Sequence, residues 1–189
     1  MVKEILQYPK DKEILSQKSE PIEEINDEIR QLAEDLLDTL KQYKTGVGIS
    51  AIQIGIPKQM CIVKYDIYTY IMINPKIIKQ RGEQKIKEGC LSAPKDIQTE
   101  VTRAQKVWVE YTDLDGKQKE LAQGGLCSAI VQHELDHFEG GCKVFEEVDT
   151  QIKIQEIMKQ QYAKQGMDYN DGVPVMTAPG QGGINGIHR

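Results

Sequence analysis

The chain is short of histidine: its 189 residues contain three. Cysteine is sparse as well. The four are Cys61, Cys90, Cys127 and Cys142, and no two of them form a Cys-x-x-Cys pair. That absence argues against a zinc ribbon. In a reducing compartment the ordinary role of such residues is a small buried hydrophobe, not a disulfide. There is no excess of positive charge. Lys and Arg total 24 against 29 Asp and Glu, net -5, which argues against broad nucleic-acid binding; no direct sequence-specific nucleic-acid partner is expected. No apolar run approaches the length of a membrane span, so no membrane partner is expected. The opening residues, Met1 to Gln7, lack the apolar core of a signal peptide and carry Glu4 early; the expected location is the cytoplasm. A hydrophobic share of 39% and a charged share of 28% fit a soluble globular protein. The length suits one domain able to bury a core without disulfides.

Against this scarcity, two of the three histidines fall in one short window, Gln132-His133-Glu134-Leu135-Asp136-His137. The third, His188, stands near the C-terminus. Histidines four apart on an α-helix share a face and sit one turn from each other. That spacing lets two imidazoles hold one metal ion, with the intervening glutamate beside its open side.

Taken in order, residues 1–22 read as an extended lead-in broken by Pro9 and Pro21. From Asn26 the pattern becomes helical. Ile25, Ile29, Leu32, Leu36 and Leu40 recur at helical steps, and Asn26 or Asp27 is a fair N-cap, so a helix is expected at 27–43. Gly46-Val47-Gly48-Ile49-Ser50-Ala51-Ile52-Gln53-Ile54-Gly55 follows. Closely spaced glycines before small residues indicate a backbone held near another group, with a plain turn into a strand as the alternative.

The middle is rich in strand signals. Strands are expected at 59–64, 67–74, 77–80, 84–88, 97–102, 106–111 and 117–121, with Asn74-Pro75 interrupting pairing and Asp113-Leu114-Asp115-Gly116 as a hairpin turn. Short strands joined by hairpins indicate mainly antiparallel sheet. The motif helix is expected at 124–138, with Leu126, Ala129, Ile130, His133 and His137 on one inward stripe, ended by Gly140-Gly141. A last helix is expected at 149–164. From Gly166 the chain turns rich in Gly, Pro, Asn and Gln and reads as a loosely ordered tail.

A catalytic zinc-type site needs three protein ligands and one open position. His133 and His137 supply two. In one protease class the motif continues to a third histidine, but Lys143 stands there, and an ammonium cannot ligate a cation. Two candidates remain: a downstream carboxylate (Glu146, Glu147 or Glu156), or the thiolate of Cys90 in Glu88-Gly89-Cys90-Leu91-Ser92.

Three segments together, from Gly46 to Gln53, from Glu88 to Ser92 and from Gln132 to His137, resemble the motif set of peptide deformylases. They stand in that family's order, and the resemblance spans about residues 1–160. It implies Cys90, His133 and His137 as metal ligands and Glu134 as general base and acid. It implies Gln53 and the backbone N–H of Leu91 as oxyanion donors. Val47, Gly48, Gly89, Leu126, Ala129 and Ile130 match positions around the pocket for a methionine side chain, and Glu88 with Arg103 resembles a pair that braces the metal-binding segment. The implied reaction is hydrolysis of the formyl group from the N-terminal formyl-methionine of newly made polypeptides, releasing formate. The implied cofactor is one divalent ion per chain, ferrous iron in the cell, with zinc or nickel able to replace it. The implied partners are N-formyl-methionyl nascent peptides and the ribosome near its exit tunnel.

The sequence departs from the family in having Ser50 where Ala is common and Ile52 where Pro is frequent. Outside the resemblance, Cys61, Cys127 and Cys142 read as structural, Gln132 as a brace, Asp136 as a supporting or surface acid, and Trp108 as sheet packing. The expected fold is α+β: mainly antiparallel strands wrapped around a central helix carrying the two histidines, with an amphipathic N-terminal helix and a C-terminal helix. Residues 1–165 form the expected catalytic domain and 166–189 the tail. Two other readings remain: a zinc peptidase with a downstream Glu ligand, and a deformylase-like scaffold that binds without turnover.

Overall fold

A computed structural model describes residues 1–170 and 173–176. Contacts divide the chain into two units, Met1–Val148 and Asp149–Arg189. In the first unit, α1 (Lys12–Leu15) interrupts the lead-in and α2 (Asp27–Leu40) follows it. β1 (Gly48–Ser50) runs into a 3-10 turn at Ala51–Ile54; then come β2 (Met60–Tyr65), β3 (Tyr68–Glu88), β4 (Thr99–Thr112), β5 (Gln118–Gly124) and α3 (Gly125–Asp136). The five strands form one sheet in the order β1-β2-β3-β4-β5, every neighbour antiparallel. α3 packs against all five, as expected for a central helix wrapped by strands.

α2 starts where the sequence indicates. The Asn26 side chain accepts a hydrogen bond from the Ile29 N–H at 3.1 Å, and Asp27 and Glu28 lie in the first turn, where acids favour the helix dipole. Leu32, Ala33, Leu36 and Leu40 bury the inner face against Ile49, Met60, Ile62 and Ile73 of the sheet. Each fully buried side chain of this size contributes roughly 1.5–3 kcal/mol. A second cluster gathers Cys61, Val63, Met72, Val107 and Val109 around Cys127, Ile130 and Val131 of α3.

Where four separate strands were expected at 77–80, 84–88, 97–102 and 106–111, the structure has long paired ribbons, β3 and β4. Asn74-Pro75 does not end β3. The register shifts between Ile73 and Lys76 absorb the missing proline donor as an irregularity. Asn74 takes a positive φ of 49°. Its side-chain amide then acts as a strand partner for the lead-in: Oδ1 accepts from the Ile22 N–H and Nδ2 donates to the Ile22 carbonyl, each at 2.8 Å. The far turn is as expected, with the Gly116 N–H donating to Asp113 O at 3.0 Å.

α3 passes into a 3-10 turn at His137–Glu139, so the second histidine sits at the end of the regular helix. The last helix, α4, spans Lys143–Ala163, starting earlier than expected because Val144, Phe145 and Val148 are buried at its beginning. In the second unit, Met167–Asn170 (β6) pairs antiparallel with Val173–Met176 (β7) inside the stretch expected to be a tail. Tyr162 stacks on Tyr169 at 5.2 Å. His188 and the rest of 177–189 lie outside the described residues.

Candidate metal centre and active site

The β3–β4 ribbon ends beside α3, because Glu88, the last residue of β3, pairs with Thr99, the first of β4. The connection between them carries Cys90, Leu91 and Ser92. Cys90 Sγ lies 3.4 Å from His137 Nε2. The ligand atoms of Cys90, His133, His137 and Cys142 all lie within 4.8 Å of one another. With metal–sulfur and metal–nitrogen bonds of zinc-site length, a tetrahedral site has an S···N edge of about 3.5 Å, so the Cys90–His137 spacing suits one shared ion. The donor set also suits it: thiolate and imidazole are the ligands of zinc and of other first-row divalent metals. None of Glu146, Glu147 and Glu156 belongs to the cluster.

His133 is oriented from behind. Its Nδ1 lies 3.0 Å from Glu88 Oε2, which leaves Nε2 for an ion. Glu88 is itself gripped by Arg103, whose Nε and Nη2 donate to Oε1 and Oε2 at 2.8 Å each. Arg103 Nη1 donates to Asp136 Oδ2 at 2.7 Å. Burial pushes the Glu88 carboxyl up, but Arg103 and His133 outweigh it and hold it below its ordinary value. Asp136 is therefore part of the support. Gln132 is a brace, as expected: its Oε1 accepts from the Ala104 N–H at 2.9 Å and its Nε2 donates to Ala104 O at 3.0 Å.

Glu134 is 3% exposed. Burial raises its carboxyl above the ordinary range, opposed by His133, His137 and the Ser50 hydroxyl. A carboxyl lifted towards neutrality can both take and return a proton. Ser50 Oγ lies 2.7 Å from Glu134 Oε2 and 2.9 Å from the Glu134 carbonyl, within reach of donating to either. The Ser50 departure therefore places a donor on the candidate base. Gly48 is needed for the same reason, since a Cβ there would collide with the Glu134 carboxylate.

Gln53 is buried and held at both ends. Its Oε1 accepts from the Ser50 N–H at 2.8 Å, and its Nε2 donates to Ser92 Oγ at 3.1 Å and reaches Cys90 Sγ at 3.6 Å. The lead-in runs behind both segments: the Leu6 N–H donates to Gln53 O at 2.8 Å and the Tyr8 N–H to Ser92 O at 2.7 Å.

A cleft of about 600 Å³ opens over these groups, lined among others by Val47, Gly48, Gln53, Gly89, Cys90, Leu91, Leu126, Ala129, Ile130, His133 and Glu134. Every residue expected around the methionine pocket is thus on its wall. Leu126, Ala129, Ile130 and His133, expected on one inward stripe, line this cleft; Ala129, Ile130 and His133 are buried, whereas Leu126 is 51% exposed. The opposite side of α3, with Cys127 and Val131, makes the core. Arg103 and His137 do not line the cleft.

The polypeptide deformylase family model matches residues 2–153. This chain belongs to the peptide deformylase family. The peptide deformylase of Nitrosococcus oceani is 36% identical over 164 residues, covering 85% of this chain and 95% of that one. The Met-Ala-Ser-bound class I type b peptide deformylase of Acinetobacter baumannii superposes with a TM-score of 0.70 at 31% identity, covering 76% of this chain and 97% of that one. The actinonin complex of the Synechococcus elongatus peptide deformylase gives 0.67 at 33% identity, covering 72% and 74%. With the cluster of thiol and imidazole donors, the family makes this chain a metal-dependent deformylase, a hydrolase that removes the N-formyl group from formyl-methionyl polypeptides.

Sequence reasoning missed three contributors. Cys142, read as structural, lies within the metal-type cluster. Ser92 is the partner of Gln53. Phe145 packs on His137, ring centroids 5.6 Å apart. The nearest signal for Cys142 was Gly140-Gly141 before it, which was read only as a helix stop.

Proposed function

We propose that Cys90, His133 and His137 hold one divalent ion and that Glu134, Gln53 and Leu91 perform the deformylation around it. The single observation that carries this reading is the convergence of Glu134, Cys90 and His133 with Gln53 on one cleft wall. A bound divalent ion supplies Lewis acidity and brings the pKa of a water towards neutrality. Glu134 takes the proton of the attacking water on its carboxylate and returns it to the departing amine. Ser50 holds that carboxylate in place. Gln53 Nε2 turns from Ser92 to the formyl oxygen as negative charge develops there, joined by the Leu91 N–H; losing one such donor costs about 2.7–4 kcal/mol of transition-state stabilisation. Val47, Gly48, Gly89, Leu126, Ala129 and Ile130 receive the methionine side chain, while Arg103 acts through Glu88. The Met-Ala-Ser tripeptide held by the Acinetobacter relative matches the chemistry of the product expected here.

Ferrous iron is the proposed cellular ion, with zinc or nickel as substitutes, and metal analysis of anaerobically purified protein tests it. The proposed setting is the cytoplasm, with nascent chains at the ribosome as substrate. Among the described residues no helix is long and apolar enough to cross a membrane. Co-sedimentation with ribosomes at physiological salt tests the association. The central test is formate release from formyl-Met-Ala-Ser by protein loaded with iron, nickel or zinc. Turnover is expected; silence with all three ions overturns the reading. The Glu134→Ala protein should keep its ion and lose about 10²–10⁴-fold in kcat.

A further inference from the structure

The metal-type cluster contains one more donor than a catalytic site needs. Cys142 is 3% exposed, and its sulfur lies within 4.8 Å of the ligand atoms of Cys90, His133 and His137. Its position follows from the turn before it. Gly140 and Gly141 take φ values of 102° and 134°, in the region that favours glycine. Gly140 lies so close to the lead-in that an added Cβ would stand 2.7 Å from Ser16 O. After the turn, Cys142 O accepts from the Phe145 N–H at 3.0 Å. Phe145 in turn stacks on Tyr8 at 4.3 Å and meets the edge of His137. The thiol is thus delivered to the histidines by a packed segment. Cys142 does not line the cleft, so it reaches the other ligands without entering the space proposed for substrate.

We propose that Cys142 is a fourth protein donor to the ion in the resting, substrate-free protein, where two thiolates and two imidazoles hold it, and that Cys142 gives up its place to the attacking water on turnover. The inference rests on the reading that Cys90, His133 and His137 bind a divalent ion. Two thiolates bring two negative charges to the ion and make the donor set softer. The ligating form is the deprotonated one, so binding releases the thiol protons to solvent.

X-ray absorption at the zinc edge decides it on the full chain loaded with one equivalent of Zn2+. The expected result is two sulfur scatterers at about 2.3 Å and two imidazole nitrogens at about 2.0–2.1 Å. In the Cys142→Ser protein the sulfur count should fall to one. Its zinc should pass to a competing chelator with at least a tenfold loss of affinity. One sulfur in the unaltered protein overturns the inference and leaves the three-ligand reading standing. Failure of the unaltered protein to bind zinc, iron or nickel overturns both. The count in the unaltered protein decides the matter even where the variant does not fold.

Discussion

The two histidines, His133 within α3 and His137 just after it, are held in opposite ways. His133 is tied by charge: Glu88 accepts at its Nδ1, Arg103 clamps Glu88, and Asp136 holds Arg103. His137 is tied by shape. It is fully buried, its Nδ1 has no hydrogen-bond partner among the described residues, and the Phe145 ring packs against it. Behind the cluster, one ring therefore depends on an ionised network and the other on van der Waals contact. Two candidate ligands one helical turn apart can thus be weakened by different perturbations.

The sharpest way to break that comparison is Glu88→Ala. It frees His133 and leaves the buried Arg103 with only the partly exposed Asp136. Metal affinity should fall about 10–100-fold, and the metal-free protein should lose about 3 kcal/mol, since breaking one side of a buried pair strands its partner. Chelator competition and urea unfolding read the two effects. The Glu88→Gln protein asks whether charge or shape matters. The Glu88 carboxyl is held below its ordinary value, so its charge contributes stability above that ordinary value and loses it as pH falls through the lower folded one. The stability difference between Glu88→Gln and the parent, both metal-free, should be widest near pH 7 and should shrink below about pH 4; a constant difference would falsify an electrostatic hold. On the other side, Phe145→Leu should cost about 1 kcal/mol of stability with the same penalty at pH 7 and pH 4, since no charge is involved. The smallest effect belongs to Asp136→Asn. That acid is 31% exposed in its side chain, so its pair with Arg103 is worth about 0.5 kcal/mol, and metal affinity should stay within twofold.

The charged side of this arrangement was legible in the sequence. The two histidines carry recognisable chemistry, Glu88 and Arg103 come through the family resemblance, and the Asn26 cap and the Asp113–Gly116 turn act through neighbours a few residues away. The shape-held side was not. Cys142 and Phe145 reach His137 because Gly140 and Gly141 adopt left-handed conformations, and a pair of glycines says that such a turn is allowed without saying where it leads. The start of α4 was misplaced for a related reason: its beginning buries Val144, Phe145 and Val148, while the rest is mostly polar, so no sustained stripe marks it. β3 was divided because proline lacks a ladder donor, and nothing local told that the register shift near Asn74 would accommodate it.

The lead-in gives a gauge of how tightly the site is closed. Leu6 and Tyr8 donate to the carbonyls of Gln53 and Ser92, the two residues joined by an amide-to-hydroxyl hydrogen bond over Cys90. Exchange of those two backbone protons with deuterated solvent requires the strap to lift from both segments. Their protection factors therefore report the breathing of these two segments on the minutes-to-hours timescale. Slower exchange on loading the ion would measure how far one cation quiets a segment that never touches it.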